Sequence, residues 1–252
     1  MSDCVRNCDH ESSDEPTGAS KSLRLEEEVY RTLRQALIRG DFAPGEQLSI
    51  RRIAEALETG LMPVRTGLRR LLAEQCLDVG SGGTAIVPHL RRGEFAEIMR
   101  LRSALEPMAA SLAAASITAE ECAAAARLSL AGHRKRRAGD ERGYQLDNYR
   151  FHFAIYRAAR SPLLLSMIET LWVRRSPIMR DAQSFLHARG ADLHDELMLA
   201  LRQHDADRAA TVLREDIELA GQYLTERLKF LDDVEEATGI ATLKPLRPVR
   251  RP

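Results

Sequence analysis

Residues 43–57 read Ala-Pro-Gly-Glu-Gln-Leu-Ser-Ile-Arg-Arg-Ile-Ala-Glu-Ala-Leu, and after a break residues 62–72 read Met-Pro-Val-Arg-Thr-Gly-Leu-Arg-Arg-Leu-Leu. The first block opens on a Pro44-Gly45 turn and reaches Ser49, a side chain suited to cap the free N–H groups of a helix start. Ile50, Ile53, Ala54 and Leu57 then recur at helical spacing, so a short helix has one side to bury. Gly60 breaks it. Pro63 suits the first turn of the next helix, where its missing N–H is no loss. That helix is predicted to bury Val64, Leu68, Leu71 and Leu72 and to show Arg65, Arg69 and Arg70 on its other face. Two short amphipathic helices joined by a tight turn, the second basic on its outside, form a helix-turn-helix pattern.

The flanks complete the unit. Leu25, Val29, Leu33, Ala36 and Leu37 predict a helix over 25–39, stopped by Gly40. Downstream, Leu77-Asp78-Val79 and Thr84-Ala85-Ile86-Val87 surround Gly80-Ser81-Gly82-Gly83, two β-prone runs about a glycine turn. A hairpin in this place is a wing. The competing reading, a glycine-rich nucleotide loop, is weak because no helix opens directly after the glycines and no Lys-Ser/Thr follows.

Pro44-Gly45 with Leu48-Ser49, Arg51, Ile53-Ala54 and Leu57, then Pro63-Val64-Arg65 with Leu68-Arg69-Arg70-Leu71, resembles in order and spacing the winged helix-turn-helix of GntR-family transcriptional regulators. A recognition helix enters the major groove, and arginine can donate two hydrogen bonds to a guanine, so Arg65 is the leading base-reading candidate. Arg69 follows at i+4 on the same face, with Thr66 beside Arg65. The resemblance implies DNA contact at Arg51 and a wing tip at Gly83 that enters the minor groove. One departure stands out. The family has Ser/Thr-Arg just before the position of Pro63, and here Gly60-Leu61-Met62 replaces that DNA-contacting arginine. Thr66-Gly67 also replaces the family's Glu-Ala.

From Gly93 to about Phe230 nothing resembles a strand. Helical periodicity recurs over 95–115, 119–137, 140–160, 162–186, 192–204 and 206–230, with short links that predict an antiparallel six-helix bundle. A bundle of this length behind this winged helix is similar to the FCD ligand-binding domain of the FadR subfamily. Arg102-Ser-Ala-Leu-Glu106 looks like its first-helix Arg-x-x-Leu-Glu. Phe151-His152 with Ala158-Ala159 and Ser161-Pro162 matches its middle helix. His194-x-x-Leu-x-x-Ala-Leu201 with Asp205 and Ala209 matches its penultimate loop and last helix.

The expected fold is therefore mainly α. A disordered tail spans 1–22, a winged helix-turn-helix 23–88 and a linker 89–92. An all-helical effector-binding and dimerisation domain spans 93–231, with a flexible tail at 232–252. Composition agrees, with 44% hydrophobic residues, few aromatics and no net charge over 252 residues. Residues 21–92 carry 12 Lys+Arg against 9 Asp+Glu, an excess compatible with DNA but too small to establish it. The four cysteines include no CxxC pair, so neither a zinc ribbon nor a redox motif is indicated, and Cys4, Cys8 and His10 read as an incidental tail cluster. No signal-peptide pattern and no apolar run near the roughly 20 residues that span a bilayer is found, which points to the cytoplasm and away from a membrane.

The second domain offers a candidate metal site. Asn148 and His152 are four apart and project from one helix face. His194 lies in a later helix and Asp216 lies 22 residues beyond it, a separation that a helix, a turn and a returning helix bring side by side. Such a set suits Zn, Ni or Mn with open positions for water or a ligand carboxylate. The competing readings are that His152 and His194 are satisfied core histidines, or that they hydrogen-bond an organic ligand directly. In the resembling domains the set is Asp, His, His and a third His, so Asn148 and Asp216 are departures. Arg102 is the candidate cation for an acidic effector, and its competing role is a salt bridge to Glu106 at i+4. The resulting expectation is a homodimeric repressor of operator DNA, responsive to a carboxylate or sugar acid. The alternatives are a metal-dependent enzyme on the bundle and a dimerising interaction module.

Overall fold

The computed structural model describes residues 18–179, 190–228 and 230–232. The tail expectations for 1–17 and 233–252, with Cys4, Cys8 and His10, lie outside the described residues, as does the predicted helical stretch 180–186.

The winged unit is built on α1 (Gly18–Ile38), α2 (Ile50–Ala56) and α3 (Leu61–Ala73). The first of these starts earlier than predicted, so residues 18–22 are helical rather than tail. No proline or glycine interrupts the sequence between Gly18 and Ile38, and nothing local ends the helix sooner. Ser49 caps α2 by accepting from Arg52 N–H at 3.4 Å, and Gly60 is the N-cap of α3. Pro63 is the third residue of α3, inside the first turn. Val29, Tyr30, Leu33 and Leu37 of α1 form one buried cluster with Val64, Leu68 and Leu71 of α3. The helices meet closely at Gly67, where a Cβ would lie 3.5 Å from the Tyr30 backbone.

The wing is β1 (Asp78–Val79) antiparallel to β2 (Ala85–Ile86), in register Asp78↔Ile86 and Val79↔Ala85. Gly82 and Gly83 turn the tip at φ 68° and 76°, a left-handed backbone that favours glycine. One pairing was not expected from the residue pattern: Gln47 bridges Ile86, and Leu48 N–H donates to Ala85 O at 2.9 Å. This bridge is too short to leave an alternating pattern, yet it anchors the wing to the start of α2.

The bundle consists of α4 (Arg92–Ser116), α5 (Ala119–Arg137), α6 (Glu141–Ala158), α7 (Pro162–Met179), α8 (Gly190–Arg202) and α9 (Ala206–Arg227). Side chains set several starts: Thr118 and Glu121 form a capping box, and Asp140 and Asp205 accept from Gly143 and Arg208 N–H. Ala109, Ala110, Ala113 and Ala114 of α4 are fully buried. Small side chains there allow α6, α7, α8 and α9 to pack directly on α4.

The predicted linker is not a free connection. Arg92 already belongs to α4, and Leu90 is buried in the bundle core. Asp232, expected in a flexible tail, receives Arg91 Nη1 at 2.7 Å and Arg92 N–H at 3.0 Å, and Leu231 N–H donates to Leu90 O at 3.1 Å. The winged unit also rests on α7. Val173 joins the winged core, Arg34 pairs with Glu169 at 2.9 Å, and Arg174 donates to Gln75 at 3.2 Å.

Candidate functional site

Two places collect the chemistry. On the winged unit, Arg51 at the start of α2, Arg65 and Arg69 of α3 and Gly83 of the wing line one open groove of about 700 Å³. All four are exposed. Thr66 is half-buried on α3 and does not line that groove. Arg70 corrects the sequence reading. It turns back onto α1, where its guanidinium meets Glu27 at 2.7 Å and Glu74 at 3.0 Å and lies 3.6 Å over the Tyr30 ring. One residue along a helix is a 100° rotation, enough to take it off the face of Arg69. Leu61 and Met62 are 48% and 60% exposed at the start of α3.

The second place is a cavity of about 80 Å³ inside the bundle. Arg102 of α4, Asn148 and His152 of α6, His194 of α8 and Asp216 of α9 all line it. Ligand atoms of His152, His194 and Asp216 lie within 4.8 Å of one another, and His152 Nε2 is 3.7 Å from Asp216 Oδ2. Asn148 faces the same space from one turn earlier on α6. Asp147, its neighbour, points elsewhere and pairs with Lys135 at 2.7 Å.

Burial governs protonation here. It holds the His152 imidazole well below its usual range, helped by His194, Arg102 and Arg175, and it lowers His194 to about 3. Both rings are therefore neutral and keep a lone pair. Burial also raises the Asp216 carboxyl to about 7, against the opposing pull of Arg102. Among the described residues His194 Nδ1 has no hydrogen-bond partner. Two neutral imidazoles, an orphaned ring nitrogen and a poorly solvated carboxylate fit a divalent cation such as Zn, Ni or Mn.

Arg102 sits in the cavity wall, but its guanidinium is already engaged. Nε meets Glu106 Oε1 at 2.5 Å and Nη2 meets Oε2 at 3.1 Å, with Trp172 stacked 4.6 Å away. The salt-bridge reading therefore describes its contacts. Sequence reasoning missed Arg175 and Trp172 of α7, which line the same cavity. Burial beside Arg102 pushes the Arg175 guanidinium down to about 9. The available signal was Arg174-Arg175 inside the most apolar of the described helices. His133 of α5 was also missed; its ring stacks on His194 with centroids 5.6 Å apart.

Comparison with known proteins agrees with both halves. Residues 25–87 match the bacterial regulatory proteins of the gntR family, and residues 97–219 match the FCD domain. The chain is 34% identical over 161 residues to the HTH-type transcriptional regulator McbR of Escherichia coli (strain K12), covering 64% of this chain and 73% of that protein. It is 29% identical over 204 residues to the HTH-type transcriptional repressor GlaR of the same organism, covering 75% and 90%. The E. coli McbR/YncC structure superposes with a TM-score of 0.76 at 28% identity, over 81% of this chain and 98% of that one. A GntR regulator structure from Rhodococcus sp. RHA1 shares the fold, with a TM-score of 0.66 at 20% identity over 81% and 99%. Both families and both relatives are transcriptional regulators, which removes the enzyme alternative. No described helix is long and apolar enough to cross a membrane. The chain belongs to the GntR family of bacterial regulatory proteins and is a DNA-binding transcriptional regulator with an FCD domain.

Proposed function

We propose that this regulator is a homodimeric repressor of the FadR subfamily whose cavity binds a small organic acid together with a divalent metal. The observation that carries the reading is the double role of α7. Trp172 and Arg175 line the cavity, while Val173, between them in sequence, is buried in the winged core. Ile38 of α1 also reaches the cavity wall. A ligand that favours one packing of α7 therefore biases the winged unit, and operator affinity changes by its difference in affinity for the two states.

His152, His194 and Asp216, with Asn148 adjacent, would hold the metal. A divalent ion there supplies positive charge and open coordination positions for a carboxylate. A cavity of about 80 Å³ suits a compact carboxylate or sugar acid rather than a long chain. Arg175 adds positive charge to the wall. On DNA, Arg65 would read a guanine, Arg51 and Arg69 would meet phosphate or base, and Gly83 would follow the minor groove. Leu61 and Met62 would sit against thymine methyl groups, so uracil for thymine at a contacted step should weaken binding. Along α4, Leu101, Met108 and Leu112 are exposed with the half-buried Leu105 between them, a stripe suited to a second copy of the chain. The relative GlaR carries the name of a repressor, which favours repression over activation.

Fluorescence anisotropy on the chain's own upstream promoter tests the reading, with Zn(II), Ni(II) or Mn(II) and a panel of small acids. Tight binding at half-site spacing, released by one acid only when metal is present, is the expected result. Binding unchanged by every acid and metal would remove the sensing half.

A further inference from the structure

His152 meets the cavity through Nε2. Its other nitrogen, Nδ1, lies 3.3 Å from the Tyr156 hydroxyl, one turn further along α6. That hydroxyl has a single proton and donates it to Glu106 Oε2 at 2.5 Å. Glu106 is fully buried and accepts three more hydrogen bonds: from Arg102 Nε at 2.5 Å, Arg102 Nη2 at 3.1 Å and Trp172 Nε1 at 3.0 Å. Facing a guanidinium and an indole N–H, which can only donate, this carboxylate only accepts. Turning the Tyr156 proton towards His152 would exchange a hydrogen bond to a buried charge for one to a neutral ring, and charge-assisted bonds are about twice as strong. Tyr156 is thus left to accept from His152, and Nδ1 must carry the hydrogen.

We propose that Arg102, Glu106 and Tyr156 form a positioning chain that holds His152 as its Nδ1–H tautomer and so keeps the Nε2 lone pair turned to the cavity. In its last step, the delivery of that lone pair to a divalent cation, the inference rests on the metal reading above. Metal-bound histidines almost always donate their second ring N–H to a fixed acceptor, which sets the tautomer and the ring orientation. Here the acceptor is a phenol, itself fixed by a carboxylate on another helix. Arg102 then acts on the site through Glu106 and not by holding the effector. The i, i+4 spacing of Arg102 and Glu106 lets one helix carry both ends of that pair.

The test uses the full chain with 15N-labelled histidine, wild type and Tyr156→Phe. Long-range 1H–15N correlation reports the His152 tautomer without metal, and calorimetry with Zn(II) reports affinity. The expected result is the Nδ1–H form in the wild type and a mixture with Nε2–H in Tyr156→Phe. Zn(II) affinity should fall by about 10- to 100-fold in that variant. An Nε2–H tautomer in the wild type overturns the proposal, and so does a Tyr156→Phe variant with unchanged tautomer and affinity. If Tyr156→Phe does not fold, the wild-type tautomer alone decides. If the tautomer behaves as expected but neither protein binds Zn(II), the positioning chain stands and the metal reading of the cavity fails.

Discussion

The arginines of the winged groove and those of the bundle cavity are placed in opposite ways. Arg51, Arg65 and Arg69 are exposed and make no ion pair among the described residues. Arg102 is 4% exposed and gripped by a fully buried carboxylate. An exposed guanidinium stays hydrated at little cost and can exchange water for a phosphate or a guanine edge. A buried one must be matched internally, because an uncompensated charge in the core costs several kcal/mol. The comparison teaches that the first set is available to a partner while the second shapes a site. Residue type and charge are the same in both; surroundings decide the role.

The sharpest way to break that contrast is Glu106→Ala. It strips Arg102 and Tyr156 of their shared acceptor and leaves a buried cation alone, so a loss of about 3–5 kcal/mol in unfolding free energy is expected by urea denaturation. Arg65→Ala should cost less than about 0.5 kcal/mol in the same assay. Equal costs at the two positions would erase the distinction.

Arg65→Ala should show its effect on DNA instead. Loss of a base-reading arginine is expected to weaken operator binding by about 1–3 kcal/mol and to relax preference at one base pair. Arg70→Ala, two positions from the groove-lining Leu68, is the control. Its guanidinium is committed to Glu27, Glu74 and the Tyr30 ring, so affinity and the salt dependence of binding should be retained. An Arg70 variant as defective as the Arg65 variant would show that the groove is not the reading face.

The cavity should also answer to pH. With His152 and His194 kept neutral by burial, the proton that competes with a metal near neutrality is on Asp216, raised to about 7. Zn(II) affinity should therefore fall by about tenfold per pH unit below 7 and level off above it, since the carboxylate must be bare to bind. In the metal-free chain the sign for stability is the reverse. The native state holds that proton more tightly than the unfolded chain does. The Asp216 contribution is thus complete below its ordinary 3.8 and is lost as pH rises through about 7. Calorimetry across pH 5–8, about two units below and one above that value, tests both arms. A flat Zn(II) profile would mean that Asp216 takes no part.

How much of this was legible depends on how far apart the deciding residues lie. The helix-turn-helix was readable because Pro44-Gly45, Ser49, Gly60 and Pro63 punctuate it locally, and each acts through its own backbone or the next turn. The pairing of His194 with Asp216 was readable because a short helix and one turn separate them. What failed needed inter-helix packing. Periodicity divides α3 into apolar and polar sides, but it cannot tell that Arg70 leans on α1 while Arg69 does not. Arg102 offered two partners on paper, a ligand and Glu106. The deciding facts are Trp172 of α7 and Tyr156 of α6, which close around the pair from other helices. Arg175 escaped because an arginine in an apolar run reads as surface unless its neighbours are known.

The smallest expected effect separates packing from readout within the winged unit itself. Gly67 occupies the middle of α3, where glycine costs about 0.5–1 kcal/mol relative to alanine. The resembling family carries alanine at this position. A Cβ here would lie 3.5 Å from Leu33 Cδ1 and from the Tyr30 backbone, ordinary van der Waals contact and no clash. Gly67→Ala should thus raise unfolding free energy by up to about 1 kcal/mol, by helix entropy and one buried methyl. The residue is buried against α1, on the side of α3 away from the solvent-facing Arg65 and Arg69, so operator affinity should not move. A variant that gained stability and lost DNA binding would show that reading the operator requires α3 to bend at Gly67, and the groove would then be a moving part rather than a preformed face.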